Sequence, residues 1–417
     1  MSDQKDCPPA PHRRVLLIQF AGDYREGYTR LASGGAETYH SQRYSIEKTA
    51  AIGRKFGEIG VLCCCGNEPY DEVMKDGVRA MGAGLSAGDF TSGPVIAQIQ
   101  AFQPTHLITH NLPSTDVLAW AIHRGLDILP CFADSFTLST IGLSPIKALV
   151  RTIRHHLRCR RLAKLLNAPQ IRWVSNHNIK ACRDLERIGV DPRKIVPWDW
   201  IQTTVPEMYE PKSRPVERSP WRLVYVGVVN ELKGVGDAIE AVAALKRRGR
   251  DVELQLFGKG DVDLFSRRAR AAGVADCVHF EGLQPNSRVI EAMRSSDLVL
   301  VPSHHHYPEG LPCVFYEAFA TRTPLICSNH PMFRGIISEE AAVLVPEKRP
   351  DAYADAMEKV LGDPGLYRRM SVATKDAWHQ FQCPVRWDEM IDHWLGATPE
   401  DDRWLAEYSV ASGRYPG

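Results

Sequence analysis

The chain has 417 residues, more than the ~250–300 at which a single hydrophobic core stops growing, so two domains are expected. With 44% hydrophobic and 24% charged residues it has a globular composition, which excludes a disordered, fibrous or coiled-coil chain. Its 51 Lys and Arg against 50 Asp and Glu leave a net charge of +1, so no global field draws it to nucleic acid and any anion site must be local.

Taken in chain order, the polar, proline-bearing start Met1–Pro11 lacks the apolar core of a secretory signal, and no run of about 18 apolar residues follows. A cytoplasmic protein is expected, its 11 cysteines reduced and acting as small hydrophobes. The runs Val15–Phe20, Val61–Cys65, His106–His110, Ile128–Phe132 and Ile171–Ser175 alternate with helical stretches and read as one doubly wound sheet. Val205–Pro220, rich in proline and charge, reads as a linker. The rhythm restarts with Arg222–Gly227, Val252–Gly258, Val278–Gly282, Leu298–Ser303, Pro324–Ser328 and Ala342–Pro346, a second parallel sheet. The fold class is therefore α/β, with two Rossmann-like domains facing across a cleft. The expected boundaries are 12–204, a linker at 205–220, 221–385, and a helical segment 386–417 whose Trp394 and Trp404 need a surface, expected on the first domain.

In parallel sheets ligands bind beyond the carboxyl ends of strands, where helix N-termini favour anions. After the first strand comes Ser33–Glu37 (SGGAE), read as opening a helix, where Gly34 and Gly35 let backbone approach a ligand. Gly227–Gly234 (GVVNELKG) sets Lys233 just before a helix, as a point charge for a phosphate. Gly258 and Gly260 bracket a short flexible loop. The most informative segment is Glu309–Ala318 (EGLPCVFYEA), with carboxylates eight residues apart across a loop-to-helix junction and Pro312 suited to the first helical position. Free amides near Cys313 and Val314 then face a cleft flanked by Glu309 and Glu317. One carboxylate can reach a sugar, and the other can accept both hydroxyls of a ribose.

In order and spacing, these segments with VHFEG, LVLVPS and ATRTPLICS resemble the family-4 retaining glycosyltransferases of the two-Rossmann (GT-B) architecture, closely over Arg222–Asp363 and more loosely over the first domain. The resemblance implies a metal-independent enzyme without a cofactor that takes a nucleoside diphosphate sugar as donor. Glu317 would bind the ribose and Glu309 would contact the transferred sugar. Lys233 and the donor-binding run Gly310, Leu311, Pro312, Cys313 and Val314 would hold the diphosphate, with Gly258 and Gly260 in the donor loop and Gly34 and Gly35 approaching from the first, acceptor-side domain. Two departures stand out. Where the family usually carries an arginine after the glycine ending the second domain's first strand, this chain has Val228. Where it often carries an acceptor-side histidine, the chain has Ala133–Phe136, so Asp134 or His110 is assigned that catalytic place. A nucleotide-sugar epimerase of the same fold, or an inactive nucleotide-binding homologue, are the rival readings.

Three bland features compete for chemistry. His304, His305 and His306 point in different directions and cannot converge on one metal ion. Asp261 and Asp263 spell a metal-binding D-x-D but open a helix, where acidic groups are expected on dipole grounds. Arg151–Lys164 is a basic amphipathic stretch with six Arg and Lys; most such faces are solvated, yet it also suits peripheral contact with an anionic membrane, as the family's lipid-linked acceptors invite.

Overall fold

The computed structural model describes residues 13–415 except 21, 67, 113, 139, 141, 142, 216 and 308, so Met1–Pro11 lies outside the described residues. Strands β1 (Arg13–Gln19), β2 (Gly57–Cys65), β3 (Pro69–Val73), β4 (Arg79–Leu85), β5 (His106–His110), β6 (Asp127–Phe132), β7 (Val174–His177) and β8 (Ile195–Trp198) form one sheet in the order β3-β4-β2-β1-β5-β6-β7-β8. Only β3 against β4 is antiparallel. Strands β9 (Trp221–Val226), β10 (Val252–Phe257), β11 (Val278–Gly282), β12 (Leu298–Val301), β13 (Leu325–Ser328) and β14 (Ala342–Val345) form a second, wholly parallel sheet in the doubly wound order β11-β10-β9-β12-β13-β14.

Helices α1 (Tyr24–Ala32), α2 (Gln42–Phe56), α3 (Ser92–Phe102), α4 (Asp116–His123), α5 (Pro145–Leu166) and α6 (Ile179–Arg187) accompany the first sheet. Helices α7 (Val235–Arg247), α8 (Val262–Ala271), α9 (Asn286–Ser295), α10 (Cys313–Ala320), α11 (Pro350–Leu361) and α12 (Pro364–Phe381) accompany the second, followed by α13 (Trp387–Gly396) and α14 (Pro399–Glu407). The expected α/β class with two Rossmann-like sheets is what the chain adopts. The strands carry near-continuous apolar runs because helices cover both faces. Leu16 and Ile18 pack with Phe102 and Leu107 on one face of the first sheet, whereas Val15 and Leu17 pack with Phe56 and Ile108 on the other.

The first sheet also contains strands that periodicity passed over. β3 is an exposed, acidic edge strand and β4 is broken by glycines, while β8 contains Pro197, which a ladder tolerates only at a sheet edge. The strand expected at Ile171–Ser175 begins at Val174 instead. A further correction concerns Ser33–Glu37, which does not open a helix. Gly34, at φ +84°, ends α1 in a left-handed cap, its N–H and that of Gly35 donating to the carbonyls of Leu31 and Arg30, and α2 starts only at Gln42.

Residues 205–220 lie against the second sheet's helices. The buried Lys212 ammonium donates to the carbonyls of Met293 and Ser296 and to Thr323, and Arg214 faces Asp297 at 3.3 Å. The chain returns beside Asp199, whose N–H donates to Val385 and whose carbonyl accepts from Trp387. From there Trp387, Ile391, Trp394 and Leu405 enter the same core as Val15, Val61 and Leu129 of the first sheet.

Candidate functional site

The carboxyl ends of β1, β9, β10 and β12 open onto one cavity of about 540 Å³ between the two sheets. The second sheet supplies Lys233, Gly258, Glu309, Pro312, Cys313, Val314 and Glu317, and the first supplies Asp23, Glu26, Arg30 and Thr38 to His40. Lys233 is aimed by its own loop, because its N–H donates to Asn230 and Gly234 caps α7 in a left-handed conformation. Its ammonium lies 2.6 Å from Glu309 Oε1 and 4.2 Å from the ring centroid of Tyr307. Glu309 Oε1 also accepts from the Ser303 hydroxyl at 2.5 Å, so a nearly buried carboxylate is fixed by one cation and one hydroxyl.

The helix after this loop begins at Cys313, which puts Pro312 at its cap rather than at its first helical position. The amides of Cys313 and Val314 are therefore among the unpaired donors of the first turn, on the cavity wall. Glu317, one turn further, is buried and accepts from Asn286 Nδ2 at 2.6 Å. Burial pushes its carboxyl up to about 7, with the Asn286 hydrogen bond pulling the other way. Burial likewise raises the Cys313 thiol to about 12, so it stays protonated at neutral pH.

Of the remaining expected residues, Gly258 alone belongs to this cavity wall. Gly34 and Gly35 belong to the α1 cap, where a side chain on Gly35 would meet Arg30 Cγ at 2.6 Å. Gly258 and Gly260 cross the β9–α7 loop so closely that a Cβ on either would meet the carbonyl of Gly227 or Val229 at 1.9 or 2.3 Å; Gly258 reaches the cavity and Gly260 does not. Gly310 and Leu311 are set back, a Cβ on Gly310 meeting the Ala133 carbonyl at 2.6 Å and Leu311 joining a core cluster. Asp134 follows that carbonyl, held by Asn176 through its backbone, and burial lifts its carboxyl to about 6. His110 sits apart between the rings of Trp198 and Trp387, whose indole N–H donates to it at 3.4 Å; desolvation lowers its pKa to about 4. The three consecutive histidines diverge: His304 meets Asp237, and His305 meets Asn329 and Glu347. Asp261 caps α8 without a side-chain cap bond.

Sequence reasoning overlooked Asn286, Ser303 as the hydroxyl that holds Glu309, and the cations Arg30 and Lys259 on the cavity wall. Asn286 was within reach, since it opens a helix directly after the VHFEG strand. Arg30 was not, because only the fold brings α1 opposite α10. Its guanidinium is held by Ala36, Thr38 and Gln42, with Glu26 at 3.4 Å.

Residues 210–377 match the family described as "Glycosyl transferases group 1". Among curated relatives, the chain is 32% identical to the amylovoran biosynthesis glycosyltransferase AmsK of Erwinia amylovora, over 36% of this chain and 38% of that protein. It spans about two fifths of the length of the curated relatives it first matches. Two solved structures share the fold across both sheets. Sucrose-phosphate synthase from Thermosynechococcus elongatus has a TM-score of 0.61 at 17% identity, covering 94% of this chain and 99% of its own. Anabaena Alr3699/HepE in complex with UDP-glucose has a TM-score of 0.59 at 14% identity, covering 95% and 99%. The chain thus has the GT-B fold, and its second half resembles the group 1 glycosyltransferases in sequence.

Proposed function

We propose that this GT-B protein moves a sugar from a nucleoside diphosphate sugar to an acceptor hydroxyl, with retention at the anomeric carbon and without a metal ion. The observation that carries the reading is the convergence of Lys233, Glu309, Glu317 and the first-turn amides of α10 on one interdomain cavity. The donor's ribose hydroxyls would lie against Glu317, and its diphosphate against the Cys313 and Val314 amides with Lys233. As the bond from the anomeric carbon to the diphosphate oxygen breaks, that oxygen gains negative charge, which a fixed ammonium and a helix N-terminus stabilise without reorganising. The acceptor oxygen forms the new bond from the face the diphosphate leaves, and its proton departs with the leaving group. Glu309, drawn off Lys233 by the arriving phosphates, would turn its freed carboxylate to the electron-poor sugar ring.

Val228 takes the place of a second cation, and this is the one observation that favours an inactive nucleotide-binding homologue. Arg30 and Lys259 on the same cavity counter it, since either can supply the missing charge. A thermal-shift panel of UDP-, GDP-, ADP- and dTDP-sugars identifies the donor, because a ligand bound only by the folded state raises the melting temperature. NMR of the product formed with a carbohydrate acceptor then reads the anomeric configuration. Binding without turnover supports the inactive homologue, conversion of donor alone into an isomer supports an epimerase, and inversion overturns the retaining mechanism.

A further inference from the structure

The first half of α5 lies open on the surface. From Pro145 to Arg158 no residue is buried, and packing resumes only at Cys159, Leu162, Ala163 and Leu166. About 21 Å of helix therefore lies on the surface. On it Ile146, Leu149, Val150, Ile153 and Leu157 are 77%, 60%, 41%, 50% and 61% exposed. At about 100° per residue these five fall within an arc of roughly 100°, and Lys147, Arg151, Arg154 and Arg158 fill the adjoining arc. His155, on the side turned from the stripe, faces the Phe136 carbonyl at 3.1 Å. The whole helix carries seven Lys and Arg and no acidic residue.

An apolar stripe bordered by cations is what the water–lipid boundary of an anionic bilayer complements, with aliphatic groups in the acyl region and guanidinium groups at the phosphates. A second copy of the chain suits it less, because pairing two such faces would bring rows of like charge together. Nucleic acid would use the cations and leave the stripe in water. We infer that the projecting half of α5 docks this protein on an anionic membrane surface. The inference stands apart from the donor chemistry, but the two are neighbours in space. His155 of α5 meets Phe136, and Ala133 in the same segment lies against Gly310 beside Glu309. A protein docked through α5 therefore presents this side of the cleft to the bilayer, where an amphiphilic acceptor would reside.

The test uses the full chain with vesicles of phosphatidylglycerol and phosphatidylcholine, or of phosphatidylcholine alone. Co-sedimentation is expected with the anionic vesicles at an affinity at least tenfold above the neutral ones, weakening as salt rises. I153E/L157E is expected to abolish sedimentation, and R151Q/R154Q/R158Q to lower anionic affinity roughly a hundredfold. Both variants keep the wild-type thermal shift with the donor sugar nucleotide, which reports an intact fold and donor site separately. Equal binding to both vesicle types, no binding to either, or sedimentation unchanged in I153E/L157E overturns the inference. A concentration-dependent dimer in ultracentrifugation that I153E/L157E dissolves assigns the face to a second copy instead.

Discussion

Two helices that carry apolar side chains have opposite fates. In α10 every residue from Val314 to Ala320 is buried, the carboxylate of Glu317 included, whereas the projecting half of α5 buries none of its aliphatic side chains. Burial of a carboxylate is costly unless it is paired, and among the described residues Glu317 accepts from Asn286 alone, which supports the donor site proposed at α10. Exposure of an aliphatic stripe is costly unless something covers it, which supports the membrane docking inferred for α5.

The largest effects should fall on the loop before α10 and on the ammonium it faces. Glu309→Gln and Lys233→Ala are each expected to lower kcat/KM of sugar transfer by about a thousandfold while leaving a cooperative unfolding transition. Wild-type rates in either variant remove the site. Next, Phe315→Ala, which empties a wholly buried position, is expected to cost about 3–5 kcal/mol in urea unfolding. Leu157→Glu on α5 is expected to shift stability by less than about 0.5 kcal/mol. Comparable losses in the two would mean that α5 is covered in solution.

Glu317→Gln sharpens the contrast by separating function from stability. The folded protein holds the Glu317 proton up to about pH 7, above the ordinary carboxylate range. Its contribution to stability is therefore complete in acid and lost as pH rises through about 7, up to roughly 3 kcal/mol. The glutamine variant should melt higher than wild type at pH 8 and alike at pH 4, while binding the donor about tenfold or more weakly. In the proposed complex the ionised form accepts ribose hydroxyls, so donor affinity measured by calorimetry should fall as pH drops below about 7. The smallest effect is a gain: Val228→Arg, at a half-exposed position on the cavity wall, is expected to tighten donor binding about fivefold. No gain would indicate that Arg30 or Lys259 already fills that role.

The sequence by itself determined the α/β class, the second sheet and the E-x7-E helix start. Apolar runs buried on both faces, and a proline at a helix boundary, are local signals that the chain carries without its neighbours. Local signals failed where partners decide the outcome. β3 and β8 are strands because an adjacent strand pairs with them, and Gly34 ends α1 because the helix before it needs a cap. Only the tertiary structure placed Arg30 opposite α10, hydrogen-bonded Glu309 to Ser303 and Glu317 to Asn286, and set His110 among tryptophans away from the cavity. It also decided that α5 projects, for periodicity reports that a helix has an apolar face but not whether any surface lies against it.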